Sequence, residues 1–418
     1  MRRRVFLRGE SFTAPEDSCM KWTSDDHWVS HYNFIKEIDL PKKIRFHDTT
    51  FRDGEQQPGV VFTSDEKVRI GTLMSEMGMD RIEGGMPLVS EDDKRAVKRL
   101  ANAGLDSEVF AFTRCMKDDV ETSVDCGVDG VIMEVPSSGQ LIGDAYEWSE
   151  EKAKSLAVEA TAYAHDHGLY VSFFCIDLSR ADSAWALDLI KAVATEGHMD
   201  ALNVVDTFGV LSPEGMTQLV TMLKKHFKVP IEVHTHNDFG MAVAITLAAV
   251  KAGAEVVHTT VNGLGERSGN ASFEETAMCL KLLYGKDLDL DFSKFKELSD
   301  EVEKASGVRK APNKAIVGSE LYSVESGIVA GWWKILEKKN KALSMFPYHW
   351  SLVGQSPPSI VLGKKSGLAS VQYYCEKLGI KIDDARARKV LLRIKDESIA
   401  RKSLLSLKDF KRIVNETK

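Results

Sequence analysis

No window of about eighteen uninterrupted apolar residues occurs in this 418-residue chain, so no membrane-spanning helix is expected. The first residues include Arg2-Arg3-Arg4 but lack the apolar core of a secretory signal, and Glu10, Glu16 and Asp17 soon follow. No Lys/Arg block dominates any later segment and the net charge is −7. Neither nucleic acid nor a membrane surface is therefore expected as a partner. The six cysteines (Cys19, Cys115, Cys126, Cys175, Cys279 and Cys375) are scattered and form no CxxC pair. Reduced, mostly buried thiols in a cytoplasmic protein fit that spacing better than a disulfide framework. Low-complexity tracts are also missing, as is any repeat beyond the alternation described next.

What is present is a regular alternation of short β-branched runs with longer segments of helical spacing, starting near residue 43. The expected strands are Lys43–Thr50, Asp80–Gly84, Glu108–Thr113, Gly130–Val135, Tyr170–Ile176, Asp200–Asp206, Ile231–His236 and Glu255–Val261. Helices are expected between them, among others at Ser64–Met77, Glu151–His165 and Pro213–His226. Ser64 is read as an N-cap lacking the Glu of a capping box, since Lys67 stands three residues on; Ser212-Pro213 reads as a cap followed by Pro at the first helical position. Eight such units argue for a closed (β/α)8 TIM barrel. A doubly wound open sheet also alternates, but it carries a Gly-rich phosphate turn after its first strand. Here that strand runs into Arg52-Asp53-Gly54-Glu55 instead. The expected division is a polar extension over 1–40, the barrel over 41–285, and a mainly helical C-terminal region over 286–418 marked by Pro347, Gly354, Pro357, Pro358, Gly363 and Gly367.

The sharpest local feature is His234-Thr235-His236-Asn237-Asp238. On a strand, His234 and His236 point to one face and Thr235 to the other, which suits a shared metal ion. An isolated His-x-His is more often just two polar residues at a strand end. The neighbouring strands change that balance. In a closed barrel, strand 8 lies between strands 7 and 1, so Asp53, the histidine pair and Asn270 come to one patch on the C-terminal face, where barrel enzymes place their sites. A carboxylate, two imidazoles and an amide oxygen suit Mn, Mg, Co or Zn, with positions left open for substrate. Arg52, beside Asp53, reads either as a surface ion pair or as a fork-shaped cation stabilising charge on a substrate oxygen, and the second is expected. Thr207, after strand 6, reads as a turn hydroxyl or as a holder of a substrate carboxylate; Glu83, ending strand 2, as an ion pair or a catalytic group.

These residues carry a family resemblance. Asp48-Thr49-Thr50-Phe51-Arg52-Asp53-Gly54-Glu55-Gln56 resembles the first signature of the alpha-isopropylmalate and homocitrate synthase family. His234 through Ala244 resembles the core of its second signature, and Asn262 through Ala271 the third conserved segment of its condensing members. The resemblance covers 43–285 well and is looser beyond. It implies a metal-dependent Claisen-type condensation, in which an acyl-CoA, usually acetyl-CoA, loses an α-proton and attacks a metal-held 2-oxo acid. Thioester hydrolysis then frees CoA and a 2-hydroxy di- or tricarboxylate. By the same resemblance Asp53, His234, His236 and Asn270 hold the metal, and Arg52, Gln56 and Thr207 hold the acceptor. Family members are usually homodimers. Those with amino-acid feedback carry a long regulatory region, which is not expected after residue 418.

The chain also departs from the family pattern. Two histidines of the helical region are Val324 and Val329, a strand-5 pocket Glu is Ile176, and the His after strand 3 is Met116. Met116 and Ile176 are thus expected to shape the acceptor's side-chain pocket, and the general base needs another residue. His349, beside Tyr348, is the candidate, against a solvated loop residue as the plainer reading. Two alternatives to a synthase remain. A lyase or aldolase of the same barrel family would usually carry a Cys on the loop after strand 8, where Gly265–Gly269 has none. A catalytically silent metabolite-binding relative would not need Arg52, Asp53, His234 and His236 together.

Overall fold

In the computed structural model, which describes residues 22–34 and 38–417, eight parallel strands close into one barrel in sequence order. They are β1 (Arg45–Asp48), β2 (Arg81–Glu83), β3 (Glu108–Arg114), β4 (Gly130–Pro136), β5 (Tyr170–Ile176), β6 (Ala201–Asp206), β7 (Ile231–Thr235) and β8 (Val256–Thr259). Closure is explicit at His47, which pairs with Arg81 on one side and His258 on the other. The barrel expected from the alternation is therefore present. β1 and β8 are shorter than expected because Thr49 and Val261 already belong to the turns that carry the site.

The crossover helices are α1 (Ser64–Glu76), α2 (Glu91–Ala101), α3 (Lys117–Cys126), α4 (Glu150–Asp166), α5 (Ser183–Glu196), α6 (Pro213–His226), α7 (Ala242–Lys251) and the short α8 (Phe273–Met278). α6 shows why they form. Met216, Val220 and Leu223 recur at helical spacing and are buried, Ser212 accepts from Gly215 N–H, and Lys224, Lys225 and His226 meet the negative end of the dipole. The start of α1 corrects the sequence reading. Its N-cap is Thr63, one residue earlier than Ser64, and Glu66 completes a reciprocal capping box.

The barrel interior is partly ionic. Arg81, at the N-terminal end, donates to Glu232 at 2.8 Å and to Glu108 at 2.8 Å, and its guanidinium lies 4.5 Å from the Tyr170 ring centroid. Above it, Phe110, Phe112, Ile132, Phe174 and Val205 form an apolar interior layer.

After the barrel come α9 (Phe295–Ser306), α10 (Gly327–Lys338), α11 (Leu368–Leu378), α12 (Asp384–Arg401) and α13 (Leu407–Glu416). Helix α9 packs its Phe295, Leu298 and Val302 into the main core, whereas α11–α13 bury Val371, Val390, Ile394, Phe410 and Ile413 in a core of their own. A two-stranded parallel sheet, β9 (Ser323–Val324) with β10 (Ser359–Ile360), links α10 to α11. Residues 22–34 lie on this helical region: Trp28 N–H donates to Pro347 O at 2.9 Å, and His349 N–H to Asp26 O at 2.7 Å. Among the described residues no helix is long and apolar enough to cross a membrane. Cys115, Cys126, Cys175, Cys279 and Cys375 are free thiols, while Cys19 and the Arg2–Arg4 run lie outside the described residues.

Candidate metal centre

The chain leaves β1 through a turn that is fastened before it reaches the site. Asp48 accepts from Thr50 N–H and from Thr50 Oγ1–H, both at 2.9 Å, and Thr50 Oγ1 accepts from Val261 N–H at 2.9 Å, tying this turn to the one after β8. Burial pushes the Asp48 carboxyl up to about 7 against the lowering effect of those bonds. Asp53 N–H then returns to Thr49 O at 2.9 Å. From below, buried Lys67 bonds Phe51 O and Gly84 O, each at 3.2 Å, and pairs with Glu55 at 2.6 Å. An ammonium thus fixes the turns after β1 and β2 relative to each other.

Three ligand-type side chains meet at this rim. Asp53 Oδ2 lies 3.2 Å from His234 Nε2 and 3.5 Å from His236 Nε2, and the two ring nitrogens are 3.3 Å apart. All three residues are buried. Burial would raise the Asp53 carboxyl, but Arg52 and then the two histidines hold it well below the ordinary range. Burial depresses both imidazoles, His234 to about 3 against the pull of Asp53. One anionic carboxylate and two neutral imidazoles are the protonation states that a divalent cation requires of its ligands.

Asn270 supplies the fourth group. Its Nδ2 donates to Leu264 O at 3.1 Å, while its Oδ1 is buried with no hydrogen-bond partner. An orphaned buried amide oxygen is costly unless something occupies it, and it stands on the segment bridged to His236. Gly265 leaves room for this arrangement. Its φ is +149°, and a Cβ there would fall 2.2 Å from Asn270 Nδ2 and 2.8 Å from Asp53 Oδ1. The residues present therefore fit an N/O-liganded divalent ion.

Arg52 borders the cluster. Nε donates to Glu83 at 2.8 Å, Nη1 to Asp53 Oδ2 at 2.9 Å and to Gln56 Oε1 at 3.4 Å, and Nη2 is buried with no partner. The guanidinium lies 4.2 Å from the Phe112 centroid, which keeps it planar against the wall. Its free donor is suited to an anionic oxygen. Thr207 Oγ1 accepts from Asp177 N–H at 2.8 Å, leaving its own proton to donate elsewhere. Arg267 clamps these loops by donating to Asp238 at 2.8 and 3.0 Å and to Thr207 O at 2.5 Å.

The sequence profile of the HMGL-like family matches residues 43–302. The chain belongs to the HMGL-like family. It is 40% identical over 361 residues to the homocitrate synthase AksA of Methanopyrus kandleri, covering 86% of this chain and 89% of that protein. To the 2-isopropylmalate synthase of Methanocaldococcus jannaschii it is 39% identical over 348 residues, 83% of this chain and 66% of that one. Among solved structures, hydroxymethylglutaryl-CoA lyase from Pseudomonas aeruginosa superposes with a TM-score of 0.58 at 20% identity, over 65% of this chain and 95% of that chain, a likeness of fold.

Not every residue singled out in the sequence is at this cluster. Asp53, His234, His236, Asn270, Arg52, Glu83 and Gln56 are joined by the contacts above. Ile176 packs against the apolar layer of the barrel mouth, and Met116 is an exposed residue preceding α3. His349 is engaged elsewhere: its Nδ1 lies 2.6 Å from Ser351 Oγ, its ring packs 3.7 Å from Trp350, and it caps the short turn Trp350–Val353. Sequence reasoning missed Lys67, whose ordinary helical spacing gave no sign of its burial, the cradle at Gly265, and Glu134 on β4, which no motif contains.

Proposed function

We propose that this chain catalyses the divalent-metal-dependent, Claisen-type condensation of an acyl-CoA, acetyl-CoA first, with a 2-oxo acid, giving a 2-hydroxy di- or tricarboxylate and CoA. The observation that carries this is the orphaned donor and acceptor pair at one rim. Asn270 Oδ1 completes a ligand set with Asp53, His234 and His236, and Arg52 Nη2 remains free beside it. The names of the relatives support the reaction class. A Mg, Mn, Zn or Co ion held by these four residues supplies Lewis-acid polarisation of the acceptor carbonyl.

The chain's own groups do the rest. Arg52 donates to the acceptor oxygen as negative charge develops there, a contribution typically worth about 10²–10³ in rate. Glu83 keeps the guanidinium oriented, which makes it a positioning residue in this reading. Thr207 donates its hydroxyl proton to the acceptor's carboxylate, and Gln56, which accepts from Arg52, binds the acceptor on the Arg52 side. Ile176 and Met116 border the acceptor's side chain. His349 is bound up as a turn cap, so the base is sought elsewhere.

The test is thiol release from acetyl-CoA with Mn2+ or Mg2+ across pyruvate, oxaloacetate, 2-oxoglutarate and 2-oxoisovalerate, with the product weighed by mass spectrometry. Metal-dependent CoA release with one acceptor, abolished by chelator, is expected. No release with any acceptor, but cleavage of a hydroxyacyl-CoA, would establish the lyase reading instead.

The homodimer implied by the resemblance has a surface available. Ile328, Trp332 and Ile335 stand exposed on one side of α10. Sedimentation should show a dimer that Trp332→Glu weakens; a wild-type monomer would refute this part.

A further inference from the structure

Glu134 is a carboxyl at the barrel mouth whose surroundings contain charges but no hydrogen-bond partner among the described residues. It lies near the C-terminal end of β4, in register with Arg114 on one side and Phe174 on the other. Residues in register on neighbouring strands share a face. Phe174 faces inward, its ring centroid 5.3 Å from that of His234 and 5.7 Å from the Arg52 guanidinium carbon. Ile132, two residues before Glu134, belongs to the apolar interior layer with Phe110, Phe112 and Val205. Glu134 therefore projects into the mouth directly above that layer, on the wall shared with Arg52.

The groups facing it are Arg52 from the turn after β1, Glu83 from β2, Arg114 at the end of β3, Asp119 from α3 and Tyr146 from the segment after β4. Both cations are ion-paired with other carboxylates, and of their guanidinium groups Arg52 keeps Nη2 free. Arg114 is held by both oxygens of Asp119, at 2.9 and 3.0 Å, and Arg52 by Glu83 and Asp53. Glu83 is tied to Arg52 through Oε1, and its Oε2 turns to His47 Nε2, 3.4 Å away deeper in the barrel. Among these carboxyls, Glu134 is the one with no ion pair among the described residues, and it stands in the mouth rather than below it.

We propose that Glu134 is the catalytic base that removes the α-proton of the acyl-CoA; this rests on the condensation proposed above. The Glu134 carboxylate takes a proton from the carbon beside the thioester carbonyl, and the C–H electron pair becomes that of an enolate. The enolate carbon bonds to the carbonyl carbon of the 2-oxo acid, whose C=O π pair moves onto oxygen beside Arg52. That oxygen takes the proton back from Glu134. Water then cleaves the thioester, releasing CoA and a carboxylic acid. Burial raises the Glu134 carboxyl to about 7, with Arg52 and Arg114 opposing and Asp119 and Glu83 adding to the rise. A base of that strength is matched to proton transfer near neutral pH. The family's histidine positions offer no substitute here, since Val324 is buried in the core beneath α10 and Val329 packs against the same core.

The experiment compares wild type, Glu134→Gln and Glu134→Asp as metal-loaded full chains, in steady state against pH and with acetyl-CoA deuterated in the methyl group. The expected result is a kcat loss of about 10²–10⁴ for Glu134→Gln, acceptor KM within about threefold, and partial recovery in Glu134→Asp. The acidic limb of wild type near pH 7 should vanish in Glu134→Gln and the isotope effect should rise. A Glu134→Gln variant that keeps its kcat or its acidic limb overturns the proposal. So does one that merely changes acceptor, which would make Glu134 a reader of the substrate's side chain. A wild type inert with every acceptor overturns the condensation reading itself. Unchanged thermal unfolding of the variants separates these outcomes from misfolding.

Discussion

Two buried groups of the barrel contain two histidines and a carboxylate: Asp53, His234 and His236 at the rim, and His47, Glu83 and His258 deeper inside. By composition and burial they are equivalent, yet their geometry differs. At the rim the rings cross at 67° and both Nε2 atoms face one carboxylate oxygen. In the deeper group the His47 and His258 rings stack 4.2 Å apart at 12°, so their lone pairs run side by side rather than converging. His258 Nε2 lies 3.0 Å from both Glu232 Oε2 and Asn203 Nδ2, and Glu83 Oε1 is bonded by Arg52. Glu232 is in turn held by Arg81 at 2.8 Å and Ser172 at 2.6 Å. The deeper group is tied into this ionic network, although both His47 ring nitrogens and Glu83 Oε2 have no hydrogen-bond partner there, whereas the rim group adds the orphaned Asn270 oxygen as a fourth ligand-type atom. Convergence of the ligand atoms on a common point, more than residue type or unfilled bonding capacity, separates a ligand set from a structural network.

Substitutions should split the two groups cleanly. The largest effect is expected for Asp53→Ala, which removes a ligand and the partner of Arg52. Loss of several kcal/mol of transition-state stabilisation predicts a kcat/KM fall of about 10³ or more, with the fold retained by circular dichroism. Next, Glu232→Gln leaves Arg81 buried with half its pairing gone. A destabilisation of about 3–5 kcal/mol is expected, read from the urea midpoint, with kcat per folded molecule unchanged; a selective loss of activity would erase the distinction between the groups. Gly265→Ala pushes a methyl against Asn270 and Asp53. Metal affinity should weaken about 10–100-fold by calorimetric titration, with little change in melting temperature.

The smallest effect concerns pH. Burial holds the His47 imidazole well below its usual value of 6.5, with His258 adding to the shift. The unfolded chain therefore takes up a proton that the folded one refuses. The stability linked to His47 is complete above about pH 6.5 and falls as pH drops below it, by at most about 1.4 kcal/mol per pH unit. Replacing His47 by Leu should flatten that part of the curve of melting temperature against pH; an unchanged slope would show that His47 is not buried neutral.

The barrel was legible because its strands and helices differ in period, and because a closed ring makes strands 7, 8 and 1 neighbours. That adjacency turned a weak His-x-His into a four-residue candidate site. Boundaries were less legible: Thr63 and Ser64 are both good caps, and only Glu66, three residues after Thr63, decides between them. Lys67 and Glu134 look like ordinary charged residues in sequence; their burial depends on which loop closes over them, which periodicity does not encode. His349 carried two readings in the sequence, a base and the plainer solvated loop residue, and the fold engages its ring as a turn cap.

The most direct measurement is titration of the chelator-treated chain with Mn2+, followed by electron paramagnetic resonance. One tightly bound ion per chain is expected, retained in His258→Gln and lost when His234 and His236 are both replaced by Ala. An ion that survives the double replacement, or a second tight ion lost with His258, would place the metal in the deeper group and contradict the account.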